Sequence, residues 1–388
     1  TVWMALGIHA QPAFELKWEF EAPGAFLAPA VSPLGLVIVV ADATVYAIDS
    51  QTGVAKWTFS AESGILYPPT ISADGTVFAA IKNRIYGDRS IDSEIVVYAL
   101  NGQNGTSKWV SRHWAPGNLA VLKTPIITGL NGGVFLSMEN DDLAGNTMIW
   151  LNEQTGVSEW AYGIAGQVQF TAIDSSGLLN VGHNRWDPTS GDRTKPGMRL
   201  TQIDLRSGLG QPWTQYESND FNSPPAIGAD GSVYLITKQY STNSAGARIN
   251  EPVVSALNGS DRQLIWSTKF NWSSTPAIGA NGTVFAISGE KGPGFLAVEP
   301  RSGVKKWEAV ATNAIGASWI SSPAIGADRT VYISRNESWG GDLGSYGIIQ
   351  AIDEETGQLK RELVVDGGFS AAPTMGLDGT LYLAGYGK

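Results

Sequence analysis

Three histidines, His9, His113 and His183, carry all the imidazole of this 388-residue chain, and it contains no cysteine. Without thiols it has no disulfide, no thiol nucleophile and no Cys-ligated zinc. Neither His-Glu-x-x-His nor Gly-x-Ser-x-Gly occurs, which removes the zincin and nucleophile-elbow chemistries. The densest run of chemically able groups is GHNRWDPTSGDRTKPG, from Gly182 to Gly197, with His183, Arg185, Trp186, Asp187, Asp192 and Arg193. Guanidinium forks grip carboxylates at two points, and cationic, acidic and aromatic groups together can hold a sugar ring. The same residues can instead pin a long loop to its neighbours through ion pairs and packing. A second tier comprises His113 and Trp114 in Ser-Arg-His-Trp-Ala-Pro, Tyr240, and Trp339 with Tyr346. Glu139, Asp141 and Asp142 are close in sequence, but Glu-Asn-Asp-Asp lacks the spaced oxygen ligands of a calcium loop and reads as solvated acid.

The elements that position these residues are written as a repeat. One eleven-residue phrase reads AIDSQTGVAKW at Ala47 to Trp57, ALNGQNGTSKW at Ala99 to Trp109, WLNEQTGVSEW at Trp150 to Trp160 and AVEPRSGVKKW at Ala297 to Trp307. Looser copies end at Trp18, Trp213 and Trp266, and in the copy from Ala351 an arginine, Arg361, takes the Trp position. A second phrase alternates with it, as in PPTISADGTVFAA from Pro68 and TPAIGANGTVFAI from Thr275. Asp-Gly and Asn-Gly between alternating apolar residues are hairpin signals, so each phrase is read as a hairpin. Two hairpins make a four-stranded unit of roughly 40 to 50 residues, the period of a propeller blade.

The predicted fold is therefore all-β, a single eight-bladed β-propeller of four-stranded antiparallel blades. The expected blades are about 28–59, 67–110, 123–162, 168–215, 222–268, 273–309, 320–364, and 370–388 joined with 1–20, counted from the phrase positions. Pairing of the N- and C-terminal hairpins in the eighth blade would close the ring and remove exposed sheet edges. The copies differ most in one connection, between the second and third strands. It is short at Ala41 to Ala43 and expanded at Lys82 to Glu94, Met138 to Asn146, His183 to Met198, Lys238 to Glu251 and Arg335 to Tyr346. These stretches are expected as irregular loops sharing one rim with links such as Ser111 to Leu122, which makes that rim the expected binding face. His9 is expected in the turn of the split blade, on the opposite face.

The pattern Ala-x-Asp-x-x-Thr-Gly-x-x-x-Trp, followed by Ser-Pro-Ala-Ile-Gly-x-Asp-Gly-Thr-Val-Tyr, resembles the pyrroloquinoline-quinone-type repeat of eight-bladed propellers over almost the whole chain. The resemblance implies that Trp18, Trp57, Trp109, Trp160, Trp213, Trp266 and Trp307 are structural, docking one blade on the next. It implies less about activity, because quinone-dependent dehydrogenases and non-enzymatic scaffolds share the repeat. In the large quinoprotein dehydrogenases the cofactor sits between a vicinal Cys disulfide and a Trp, with Ca²⁺ on acidic and amide side chains. This chain lacks the Cys pair, and no cofactor ligand carries over. It is more similar to the propeller lipoprotein of the outer-membrane β-barrel assembly machine, which works through loops and edges.

Net charge is −10, and the 26 Lys and Arg form no dense run, so nucleic acid is not an expected partner. No segment is apolar for long enough to span a membrane as a helix. Thr1 in place of an initiator Met reads as a processed or trimmed chain without its signal segment. Five Asn-x-Ser/Thr sequons occur, at Asn104, Asn258, Asn271, Asn281 and Asn336, and three of them are Asn-Gly turns that the hairpins already require. The expected role is a non-enzymatic extracytoplasmic scaffold, periplasmic, secreted or at the cell surface. It would use no cofactor and would meet a protein or glycan partner, or further copies of itself, on the long-loop face. The alternatives are a quinone-dependent alcohol or sugar dehydrogenase using pyrroloquinoline quinone with calcium, and a carbohydrate-active propeller enzyme built on His183, Arg185, Arg193 and Tyr240. Replacing Arg185 and Trp186 with Ala is expected to weaken partner binding with the melting temperature nearly unchanged. Trp109→Ala or Trp160→Ala is expected to cost roughly 3–5 kcal/mol in denaturant unfolding.

Overall fold

The computed structural model describes residues 3–9, 14–24, 26–61, 64–86, 91–115, 121–122, 124–129, 132–140, 145–174, 176–185, 197–216, 220–221, 224–242, 248–261, 263–269, 275–288, 294–310, 317–338 and 345–386. These residues form strands and turns, and among them there is no helix. Eight antiparallel sheets follow one another, each running from an inner strand to an outer one. Blade 1 shows the plan, with Ala30–Val31 innermost, then Leu36–Ala41, Thr44–Asp49 and Ala55–Ser60. Every residue of Leu36–Ala41 is buried, because the strand lies between two neighbouring blades and must be apolar on both faces. The outer strand Ala55–Ser60 alternates, with Trp57 buried and its flanking residues exposed. In four sheets the innermost strand is broken into two short pieces.

The repeated Trp is aimed by a β-bulge. Where the third strand meets the outer one, the register shifts by one residue, at Ala47/Ile48, Ala99/Leu100, Ala256/Leu257 and Ala297/Val298. An extra residue bends the strand and re-aims a side chain. A small residue stands opposite the indole in most blades, Ala47 across from Trp57 and Ala99 across from Trp109, whereas in blade 3 Trp150 stands across from Trp160. Each indole then crosses to the next blade and donates its N–H to a turn carbonyl. Trp18 reaches Ser50 O at 3.0 Å, Trp57 Gly102 O at 2.9 Å, and Trp109 Glu153 O at 2.8 Å. Trp160 reaches Leu205 O at 2.9 Å, Trp266 Pro300 O at 2.7 Å, and Trp307 Glu354 O at 3.1 Å. The side chain of Trp213 lies outside the described residues.

The glycine of the receiving turn is the other half of the dock. Gly105 has φ of 72°, and a Cβ there would stand 2.5 Å from the Trp57 ring. Only glycine combines that backbone with so close an approach. In blade 1 the corresponding turn, which presents Gly53 to Trp18, is held by its first residue: Asp49 Oδ1 accepts from the backbone of Gln51 and Thr52 and from the Thr52 hydroxyl, at 2.9–3.0 Å. An inner-hairpin aromatic backs the indole in several blades, as with Phe78 and Trp109, 5.7 Å apart, or Tyr234 and Trp266, 6.0 Å apart.

The ends of the chain make the eighth blade. Trp3–His9 pairs antiparallel with Thr380–Tyr386, from Trp3 opposite Tyr386 to His9 opposite Thr380. His9 is thus the last residue of a strand rather than part of the turn, because the ladder runs one full phrase. Lys17 clasps the join, its Nζ 3.2 Å from Asp378 and 3.0 Å from Thr380 Oγ1. The innermost strand of blade 1 touches those of blades 2 and 8, which continues the ring across the chain ends. At the seam between blades 7 and 8 the indole is replaced: the Arg361 guanidinium stands 5.9 Å from the centre of the Phe14 ring, a cation–π contact.

The tight turns of both phrases occupy one face, and their carboxylates bear on stability. Asp49 is held at about 2, below the ordinary 3.8, by backbone hydrogen bonding at Thr52 and further donors against a modest desolvation. Asp353 is held at about 2 in the same way, first through Thr356. At Asp378 burial opposes ionisation, and donors from Thr380, Gln51 and Lys17 outweigh it, again giving about 2. A carboxyl with a lowered folded-state value stabilises fully above its unfolded value and loses that contribution as pH falls toward the folded one. Melting temperature followed by circular dichroism is therefore expected to drop as pH falls from about 4 to about 2, and Asp353→Asn is expected to shrink that drop.

Candidate functional site

Connections between second and third strands share the other face with the links between blades, as the antiparallel order requires. Five of them had been expected as irregular loops, and at their described ends that expectation is corrected: the ladder continues outward as hairpin arms, while residues 87–90, 141–144, 186–196, 243–247 and 339–344 lie outside the described residues. In blade 2, Lys82 to Tyr86 pair with Ile95 to Ile91. In blade 5, Lys238 to Thr242 pair with Pro252 to Arg248, and in blade 7, Arg335 to Ser338 pair with Ile348 to Ser345. Polar side chains disguise these strands in the sequence because an arm standing clear of the core is not obliged to be apolar. The link from Ser111 likewise begins as strand, within the outer strand Ser107–Ala115.

The side chains named from sequence scatter along these arms. His183 belongs to the strand Leu178–Arg185, is buried, and shares a 2.9 Å hydrogen bond between Nε2 and Thr201 Oγ1. It is therefore held inside the blade rather than in the loop where it was placed. Arg185 ends that strand opposite Gly197, and Tyr240 lies in Val233–Thr242 opposite Asn250; their side chains, like all of Trp186, Arg193 and Trp339, lie outside the described residues. His113 and Trp114 are neighbours on one strand and so point to opposite faces. His113 is half-buried, 3.1 Å from Ser111 Oγ, and burial pushes its pKa down.

Trp114 is 59% exposed, and its setting gives the arm face its best-defined surface. Blade 1 turns back with only Asp42 and Ala43 between its second and third strands, so blade 2 outruns it. Trp114 pairs opposite Glu94, and Glu94 pairs opposite Asn83, so all three share the face turned toward blade 1. Glu94 is buried and accepts from Arg112 at 2.7 Å and Asn83 at 3.1 Å. Ile85, 39% exposed, lies further out on the same face. An exposed indole and aliphatic beside polar groups already locked in place is the composition of a recognition patch.

Sequence reading missed a buried charged cluster in the arm of blade 7. Arg335 Nη2 is 3.0 Å from Glu337 Oε1, with both side chains about as buried as the apolar core. The contact is ionic without hydrogen-bond alignment, and Arg335 Nε and Nη1 have no partner among the described residues. Tyr346 donates to Glu337 Oε2 at 2.9 Å, which ties this half-buried phenol to its own hairpin. Asn336 faces the other way and bonds Phe369 O and N of blade 8 at 2.8 and 2.7 Å, so its sequon is locked in the interface. The only available signal was the alternation Arg-Asn-Glu after an apolar strand, which reads as solvent-facing until the arm is seen packed.

Among the described residues no three His, Asp or Glu side chains converge as a metal site, and no helix is long and apolar enough to cross a membrane. The molecule is an eight-bladed propeller of the pyrroloquinoline-quinone-repeat class. The family model described as outer membrane protein assembly factor BamB matches residues 15–248 and 199–380, and the chain belongs to that family. No curated protein matches the sequence. Among solved structures, the chain is similar to the Dos1 propeller, with 8% identity, TM-score 0.61 and coverage of 94% of this chain and 93% of that one. It is similar also to quinohemoprotein alcohol dehydrogenase ADHIIG from Pseudomonas putida HK5, with 13% identity, TM-score 0.59 and coverage of 94% and 71%. A europium-containing methanol dehydrogenase follows at 14% identity and TM-score 0.51, with coverage of 85% and 78%. These likenesses show the fold.

Because the Arg335–Glu337 pair is poorly satisfied, its worth lies in mutual neutralisation rather than net stabilisation. Arg335→Met is expected to cost about 3–5 kcal/mol by leaving Glu337 buried and alone, and Arg335→Met with Glu337→Leu to recover most of that in urea unfolding.

Proposed function

We propose that this protein is a non-enzymatic extracytoplasmic scaffold that binds a protein or glycan partner on its arm face. The observation that carries the reading is Trp114, 59% exposed beside the fixed Asn83–Glu94–Arg112 group where blade 1 leaves blade 2 uncovered. Tryptophan is enriched among the residues that carry binding energy at interfaces. Support comes from the family, whose model bears the name of an outer membrane assembly factor, and from the contrast between uniform docking turns and arms of unequal length. The family name also points toward an extracytoplasmic location.

The competing reading, a quinone-dependent dehydrogenase, rests on fold likeness alone. Calorimetric titration with pyrroloquinoline quinone and Ca²⁺, paired with dye reduction by alcohols and aldoses, separates the two. No binding heat and no turnover are expected. Stoichiometric binding with turnover would replace the scaffold by an enzyme.

A further inference from the structure

We propose that Asn258, in the outer turn of blade 5, is a self-modification site at which the asparagine amide is lost through a succinimide to water. Asn258 opens the phrase copy Ala256 to Trp266 and is followed by Gly259, the least hindered backbone nucleophile available. Its Oδ1 accepts from Ser260 N at 2.9 Å, Ser260 Oγ at 2.7 Å and Asp261 N at 3.3 Å. Three donors on one amide oxygen polarise the Cγ carbonyl and are placed to hold the oxyanion that forms when a nucleophile adds to it. The nucleophile is the Gly259 backbone nitrogen, whose N–H donates to no acceptor among the described residues.

The step balances without a redox partner. The Gly259 nitrogen gives its proton to solvent base and bonds to Cγ, solvent returns a proton to Nδ2, the Cγ–Nδ2 bond breaks, and the amide leaves as ammonia. Water then opens the five-membered ring at either carbonyl, producing aspartate or isoaspartate. The turn gains one negative charge in both cases.

The other described Asn-Gly pairs lack one or both requirements. At Asn104 the Gly105 N–H is committed to Asn101 O at 2.8 Å, and at Asn281 the Gly282 N–H is committed to Gly279 O at 2.9 Å. At Asn101 the Gly102 N–H has no acceptor among the described residues, but Oδ1 receives only Gln103 N, at 2.9 Å, and Gly102 is buried. The aspartate product has a precedent within the molecule. Asp49, Asp204 and Asp353 hold this register in blades 1, 4 and 7 and accept from the same two backbone positions, with their hydroxyl donor one residue further along the turn than Ser260. An isoaspartate would insert a methylene into the backbone of this turn.

The test incubates the folded full chain in mildly alkaline buffer at body temperature and maps amide-to-acid conversion and isoaspartate by peptide mass spectrometry. Asn258 is expected to convert several-fold faster than Asn101, Asn104 and Asn281, and Ser260→Ala to slow it several-fold by removing the 2.7 Å donor. Ser260 is exposed, so that variant keeps its fold. Asn258→Asp, which supplies the product directly, is expected to melt with the parent. Equal conversion at any of the other three sites, or a Ser260→Ala rate equal to the parent's, would overturn the proposal.

Discussion

A glycine turn flattened beneath a tryptophan of the preceding blade is the contact on which the ring depends. The indole buries a large apolar surface, donates one N–H to a turn carbonyl, and fixes the angle between successive blades in the same act. Its geometry combines a bulge that aims the ring with a glycine of positive φ that receives it, and a small residue usually stands opposite, though Trp150 stands opposite Trp160. Trp57, Ala47 and Gly105 supply one complete set, divided between blades 1 and 2. Because each dock spans two blades, no blade completes its own core, and stability accumulates around the circle.

Closure follows from that dependence. A ring of docked blades needs its last neighbour, and here the two ends of the chain build one sheet together, clasped by Lys17 on Asp378. The seam between blades 7 and 8 departs from the rule, with Arg361 over Phe14 standing where an indole would and the Asn336–Phe369 bonds joining the inner strands. These contacts add polar, directional alignment to a seam that is also filled by buried apolar side chains, among them Ile8, Tyr332, Ile349, Phe369 and Leu381.

The two faces divide the work. Turns on the docking face repeat because every one must receive a neighbour, and their side chains are spent on their own backbone, as at Asp49 and Asp353. The arms carry no such duty. They rise to different heights, and that inequality leaves one side of the blade 2 arm bare, with Trp114 at its edge.

Much of the architecture was legible in the residues, because docking demands the same types at the same spacing in blade after blade: Asp or Asn, then Gly, then Trp. Eight blades, terminal closure and the Trp register could all be read that way, and Arg361 stood out as the exception in the series. The arms could not be read so. A strand beyond the core has no apolar face to declare it, so Lys82 to Tyr86 and Arg335 to Ser338 looked like loop, and His183 looked available when the ladder had already enclosed it. Which side chains meet across an arm depends on register and on the height of the neighbouring blade, two quantities that only the packed ring supplies. The repeat in the sequence therefore determined the ring, and the tertiary structure decided which residues the ring leaves exposed.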